Sequence, residues 1–421
     1  MSVLSAPLLT PPDPQAVRGP AERDLHWSRV RRSMDEHGLD ALLVFGHERF
    51  GADHYLTNDQ PGMHVVFPRD GELVATSAFG HLRQTAHFVS AARGELSWVA
   101  DVRAGGSGRV LSGVLIEKGL ARAKIGVVGL GGRGEGWVPH RTWSAIAEAL
   151  PDATFIDMQH EMTLLLLERS DADLACLRYA AAVGERVCEA MLDAIRPGAS
   201  EADAYAAAMA TYSRHGVRTV PPSTLMMQSG SDNFGWGPPA WLARPQPARR
   251  LEAGDVILTE LFGYYGMIET QLQLAVAVGR IDAEQEACAT AARRAYEAGL
   301  RAMRPGVTFQ EVCDGMERPI VEAGGWHLTP LIQTMNPFAI NGPDRPPRPD
   351  QAPWLAARYR IQHGGDRTDR TWELRPGMTF AFEPNAHLGR RRVNVGGTVV
   401  VTAGGAEEMN EIPTMIRRVP A

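Results

Sequence analysis

Two stretches of this chain reach a glutamate by the same steps. Leu251-Glu252-Ala253-Gly254 leads into Asp255-Val256-Ile257-Leu258-Thr259-Glu260, and Leu374-Arg375-Pro376-Gly377 leads into Met378-Thr379-Phe380-Ala381-Phe382-Glu383. In both, Gly follows Leu by three positions and Glu follows Gly by six. Two carboxylates facing one pocket push their pKa values apart, so that one serves as an acid and the other as a base. Glu383 and Glu260 are therefore the candidate catalytic pair. Glu383 is also suited to hydrogen-bond a cationic or amide-bearing substrate, or to act as a base whose pKa burial has raised. In Glu269-Thr270-Gln271-Leu272-Gln273, a period of two puts Glu269, Gln271 and Gln273 on one face of a strand, where they would offer donors and acceptors to the same pocket. The plainer readings are a structural carboxylate held by backbone amides and an ordinary wet strand.

The elements that must position these groups repeat as well. Pro197-Gly198-Ala199-Ser200-Glu201-Ala202-Asp203 ends one helix and caps the next, and Pro305-Gly306-Val307-Thr308-Phe309-Gln310-Glu311 repeats the device 108 residues later (197 against 305). The strand-to-glutamate segments lie 123 residues apart (260 against 383). Two independent elements at similar offsets indicate an internal duplication. Ser170-Asp171-Ala172-Asp173 opens a further amphipathic helix. Upstream, helices expected near 26–37 and 142–150 alternate with strands at 41–45, 65–67, 72–76, 124–128 and 153–157, the pattern of an α/β domain. Residues 1–24 carry five prolines and no periodicity and read as a loose arm. Residues 342–354, rich in Pro and Arg, read as a long loop.

Composition narrows the function classes. The chain has 421 residues, 44% hydrophobic and 22% charged, with a net charge of -6. That balance is ordinary for a soluble globular protein and gives no footprint for nucleic acid or an anionic membrane. No apolar run approaches the ~18 residues of a membrane span, and the N-terminus does not read as a secretory signal. Cys176, Cys188, Cys288 and Cys313 lack paired spacing and read as buried thiols in a reducing cytoplasm. Gly129-Leu130-Gly131-Gly132-Arg133-Gly134 follows a strand as a dinucleotide fingerprint would. However, Gly136-Trp137-Val138-Pro139-His140 delays the helix whose N-terminus must hold a pyrophosphate, so a surface loop is the better reading and no cofactor is expected.

The chain resembles the creatinase, prolidase, aminopeptidase P and methionine aminopeptidase family. The resemblance lies in 38–44, 55–57, 165–178, Gln228-Ser229-Gly230, 254–260, 376–384 and 398–402, the Pro-Gly-Met…Glu-Pro stretch being the most specific. It implies an α/β N-terminal domain over 25–165 and an α+β pita-bread domain over 166–421, whose two pseudo-twofold halves share one site. The family's metallopeptidases hold two metals with Asp, Asp, His, Glu and Glu. Laid on this chain, these fall on Glu260, on Thr270 or Gln271, near Asn336, on Glu383 and on Gly396. Two carboxylates without the remaining ligands bind a divalent ion weakly, so no metal is assigned.

The pattern instead resembles the metal-free, creatinase-like branch, which uses a His and two glutamates. Of those glutamates Glu383 carries over, and the other lands on Leu272. The resemblance places substrate near Phe234, Trp236 and Trp241, whose faces could hold a cation or planar ring, and near Asn336. In dimers of this kind the N-terminal domain covers the partner's site, so His64 is a candidate acid/base and His54 a candidate substrate contact across the interface. The expectation is a cytoplasmic, homodimeric, metal-independent enzyme acting on a C–N bond of a small polar metabolite. The alternatives are a ligand-binding protein on a peptidase scaffold and a divergent metal-dependent Xaa-Pro-type peptidase with ligands such as His327 or His363.

Overall fold

The computed structural model describes residues 7–47, 50–77, 80–95, 97–130, 138–219, 225–233, 235, 237–335, 340–357 and 368–421. The chain forms two compact units. One spans Pro12–Glu168, and the other holds Arg169–Met335 and Ile340–Ala421 together with residues 7–11.

In the first unit six strands, β1 (Ala41–Val44), β2 (His64–Pro68), β3 (Val74–Ser77), β4 (Asp101–Ala104), β5 (Lys124–Val128) and β6 (Thr154–Asp157), lie in the order β4-β3-β2-β1-β5-β6. Pairing is antiparallel from β1 to β2 and β2 to β3, and parallel elsewhere. Alternation along β1 feeds two apolar layers: Leu42 and Val44 join Trp27, Val30 and Met34 on one side, while Ala41 and Leu43 join Leu111, Val114 and Ile146 on the other. The loose arm expected over 1–24 is corrected here for its described later part. Pro14–Arg18 and Pro20–His37 are helices, each started by a proline in its first turn, where no N–H is needed. The helix after the Gly-rich stretch begins at His140, and residues 131–137 lie outside the described residues.

The second unit contains β7 (Leu225–Gly230), β8 (Val256–Tyr265), β9 (Ile268–Leu272), β10 (Ala275–Val278), β11 (Ile332–Thr334), β12 (Thr379–Phe382), β13 (Asn385–Leu388), β14 (Arg391–Asn394), β15 (Thr398–Thr402), β16 (Gly405–Glu408) and β17 (Arg417–Val419). They form a sheet β17-β10-β8-β7 with β9 beside β8, a sheet β11-β12-β15-β16, and the hairpin β13-β14. Helices Asp171–Ala194 and Glu201–Arg214 cover the first sheet. Tyr296 of helix Ala283–Ala302 and Phe309 of helix Phe309–Glu322 meet Phe382 and Phe380 of the second, at ring distances of 5.6 Å in each case. The Pro-Gly segments close these helix pairs through capping boxes at Ser200 with Asp203 and Thr308 with Glu311.

The duplication is visible bond by bond. Gly254 and Gly377 both take φ +89°, a left-handed conformation that glycine enters without strain. Gly254 N–H donates to Val278 O and Gly377 N–H to Val401 O, both at 2.8 Å. Leu251 N–H donates to Ala199 O and Leu374 N–H to Val307 O, again both at 2.8 Å. The four cysteines are buried and unbridged. No helix among the described residues is long and apolar enough to cross a membrane.

Candidate active site

Alternation decides which side chains of β8 and β9 reach the site. Ile257, Leu261, Leu272 and Leu274 turn toward the helices and join their core. Glu260, Gln271 and Gln273 therefore turn to the opposite face, and all three are buried. Leu272, where the resemblance puts a creatinase glutamate, is core packing against Gly184. In the second half Phe380 and Phe382 face the helices, which turns Glu383 to the inner side.

These inner faces meet in one hydrogen-bonded cluster. The Gln271 amide Nε2 donates to Glu260 Oε1 and lies 3.5 Å from Glu383 Oε2. Gln273 Nε2 donates to the same Glu383 oxygen at 3.1 Å. Gln333 Nε2 donates to Gln271 Oε1 at 2.7 Å, and Asn394 Nδ2 to Gln273 Oε1 at 2.8 Å. Each glutamine thus turns its amide nitrogen toward a carboxylate oxygen and leaves its oxygen to a second amide. Glu383 N–H donates to Leu331 O at 2.9 Å, and Asn385 Nδ2 donates to Glu383 O at 3.1 Å, which fixes the backbone that carries the carboxylate.

Arg392 is 3% exposed. Burial pulls its guanidinium down to about 9, while Glu383 and Glu260 act in the opposite direction. Its Nη2 donates to Thr329 Oγ1 at 3.2 Å. His387 stacks on Trp326 with ring centroids 4.0 Å apart. Burial, then Arg392 and His327, hold it well below the ordinary histidine range, so it is neutral.

The structure thus brings Glu260, Glu383, Gln271 and Gln273 together. Glu269 is buried further along the same face and accepts from Tyr264 Oη at 3.0 Å. Trp241 meets Tyr205 edge-on at 5.5 Å. Phe234, Trp236, Asn336 and His363 lie outside the described residues. His54 and His64 belong to the first unit. His54 Nδ1 lies 2.7 Å from Asp59 O, and His64 Nδ1 lies 3.3 Å from Gly46 N, with burial lowering the pKa of His64. His327 has Nδ1 2.8 Å from Thr329 O and Nε2 3.5 Å from Glu317. Arg249 pairs with Asp255 at 2.5 and 2.9 Å, a structural clamp at the start of β8. Sequence reading missed Arg392, Asn394 and Gln333. The period-two alternation of Arg392 and Asn394 carried a usable signal, but the run Arg390-Arg391-Arg392 hid it.

The family model for metallopeptidase family M24 matches residues 175–403, more than half of the chain. The chain belongs to metallopeptidase family M24. A probable dipeptidase PepE from Mycobacterium tuberculosis is 25% identical over 258 residues, 61% of this chain and 62% of that protein. The chain thus spans about 62% of the length of the curated relatives it matches first. Among solved structures, the dipeptidase PepE from Mycobacterium ulcerans superposes with a TM-score of 0.69 at 19% identity, covering 95% of this chain and 99% of that one. The Xaa-Pro dipeptidase from Bacillus anthracis gives 0.69 at 18%, covering 94% and 100%. Fold and neighbours agree on the two-domain mixed α/β architecture of M24 proteins.

A two-metal centre does not fit the described residues. Gln271 turns an amide nitrogen, a donor and not a ligand, to both carboxylates, and Thr270 turns its hydroxyl to Thr398 Oγ1 at 2.8 Å. Gly396 has φ +153°, and a Cβ built on it would stand 1.9 Å from Phe382 O. A ligand side chain there is excluded by the backbone itself. Among the five ligand positions of the resemblance, only Glu260 and Glu383 offer carboxylates.

Proposed function

We propose that this M24 protein hydrolyses a C–N bond of a small polar substrate, using Glu383 and Glu260 for proton transfer in place of a two-metal centre. Membership of a peptidase family and relatives named as dipeptidases support hydrolysis of a C–N bond. The observation that carries metal independence is the Gln271 amide, which donates to Glu260 from within reach of Glu383. Glu383 takes a proton from the attacking water while the water oxygen bonds to the substrate carbon. Glu260, as the protonated partner, delivers a proton to the leaving nitrogen as the C–N bond breaks. Two carboxyls this close divide the roles, because ionising one disfavours ionising the other. Gln271 and Gln273 hold the carboxylates in place.

The test is turnover of a panel of dipeptides, small amides, ureas and guanidino compounds, with metal content measured on the same preparation. Less than about 0.1 divalent ion per chain is expected, given so weak a ligand set. Chelators should have no effect, and Glu383→Gln should lower kcat by roughly 10²–10⁴-fold with the fold intact. One or two ions per chain, with turnover abolished by a chelator, would revive the peptidase and sink this reading. A different observation favours a ligand-binding protein on the same scaffold: both ends of the Gln271 and Gln273 amides are already committed to protein partners. In that case Glu383→Gln changes ligand affinity and no substrate in the panel turns over.

A further inference from the structure

Arg392 is buried on the strand whose Asn394 reaches the carboxylate pair through Gln273. The β13-β14 register sets His387 opposite Arg392 and Asn385 opposite Asn394. Arg392 and Asn394, two apart on β14, share a face. Asn394 is one link from the site, through Gln273 to Glu383 at 2.8 and 3.1 Å. Arg392 approaches along a second route. Its Nη2 is on Thr329 Oγ1, and Asn385 Nδ2 ties Thr329 O at 3.2 Å to Glu383 O at 3.1 Å. A buried guanidinium persists only where opposite charge compensates its lost hydration, and Glu383 and Glu260 both act on Arg392 in that sense. The glutamine amides add dipoles to this site but no net charge.

We propose that Arg392 is the resident cation of the site: its guanidinium supplies from the protein the positive charge that divalent ions supply in a two-metal centre, and so holds the Glu260–Glu383 cluster charged in dry surroundings. It is a positioning residue, acting through the two glutamates. The inference rests on the reading above in taking those glutamates as the working pair. Arginine suits the task, because its planar guanidinium is more weakly hydrated than an ammonium and so costs less to bury.

The test compares the thermal unfolding of full-length wild type, Arg392→Met, the Glu260→Gln/Glu383→Gln double variant and the triple variant. Arg392→Met should lower Tm by roughly 10 °C, since it leaves buried carboxylates without their cation. Adding Arg392→Met to the double variant should cost less than half as much, because neutral amides need no counter-charge. Arg392→Lys, which keeps the charge, should retain at least half of what Arg392→Met loses. Losses that add independently, or equal losses for Lys and Met, overturn the proposal. If Arg392→Met yields no folded protein, recovery of folded triple variant supports the proposal and failure to recover it overturns it. One or two divalent ions in wild type overturn both this inference and the metal-independent reading. Additive losses in a metal-free chain overturn the inference alone.

Discussion

The two halves of the second unit share a backbone and differ in chemistry. Leu251, Gly254 and Glu260 occupy the same places as Leu374, Gly377 and Glu383, with matching hydrogen bonds and the same φ at both glycines. At the same offset of 123 positions, Gln271 answers to Asn394, Glu269 to Arg392 and Gln273 to Gly396. One half therefore supplies a row of side chains to the centre, while the other supplies a cation and leaves space for backbone. The symmetric part is what closes the fold. The asymmetric part gives the site its charge and its donors.

That contrast is sharpest at Gly396. Its counterpart Gln273 carries a working side chain, yet Gly396→Ala should cost more than about 4 kcal/mol, because the new Cβ meets Phe382 O at 1.9 Å in a left-handed backbone. A chemical-denaturation midpoint close to wild type would show that the halves can relax into each other's geometry. The paired glycines come next. Gly377→Ala should destabilise by roughly 3 kcal/mol, from a left-handed φ plus a Cβ 2.8 Å from Arg169 O. Gly254→Ala meets nothing closer than 3.9 Å and should cost about 1–2 kcal/mol. Equal losses in urea titrations would break the distinction.

A partly buried and a buried carboxyl outside the centre set a comparison in pH. His327 first, then Arg345, hold Glu317 down to about 2 from 4.5. Its stabilisation is present above pH 4.5 and should be lost as pH falls toward 2, by up to about 3 kcal/mol. Glu317→Gln should flatten that limb of the stability curve. In the first unit burial raises Asp53 from 3.8 to about 6, despite the Gly62 and Met63 N–H groups it accepts at 2.6 and 2.9 Å. That raised carboxyl works the other way: its contribution is present below pH 3.8 and is lost as pH rises through 6, again by about 3 kcal/mol at most. Hydrogen exchange around 51–63 should therefore quicken between pH 4 and 6, beyond the intrinsic rate, and an unchanged protection factor would count against it. The smallest effects should come from the duplicated caps. Ser200→Ala and Thr308→Ala should each cost about 1 kcal/mol, and a large inequality between them would mean that the two helix starts are not energetically equivalent.

Much of this was legible before any coordinates. Local rules placed the Gly-led turns, the capped helices and both glutamates, because turn chemistry and capping depend on residues only a few positions apart. The alternation of Glu269, Gln271 and Gln273 fixed that they share a face, though not what that face meets. The prolines of 1–24 read as a loose arm, when two of them in fact start helices. The sequence by itself determined the duplication and the strand faces. Only the tertiary structure decided that Gln271, and not Thr270, turns to the carboxylates, that Gly396 has no room for a side chain, and that Arg392 is buried with its guanidinium on Thr329. Those three facts depend on contacts between different strands and loops, and a period along one strand holds no information about what lies across from it.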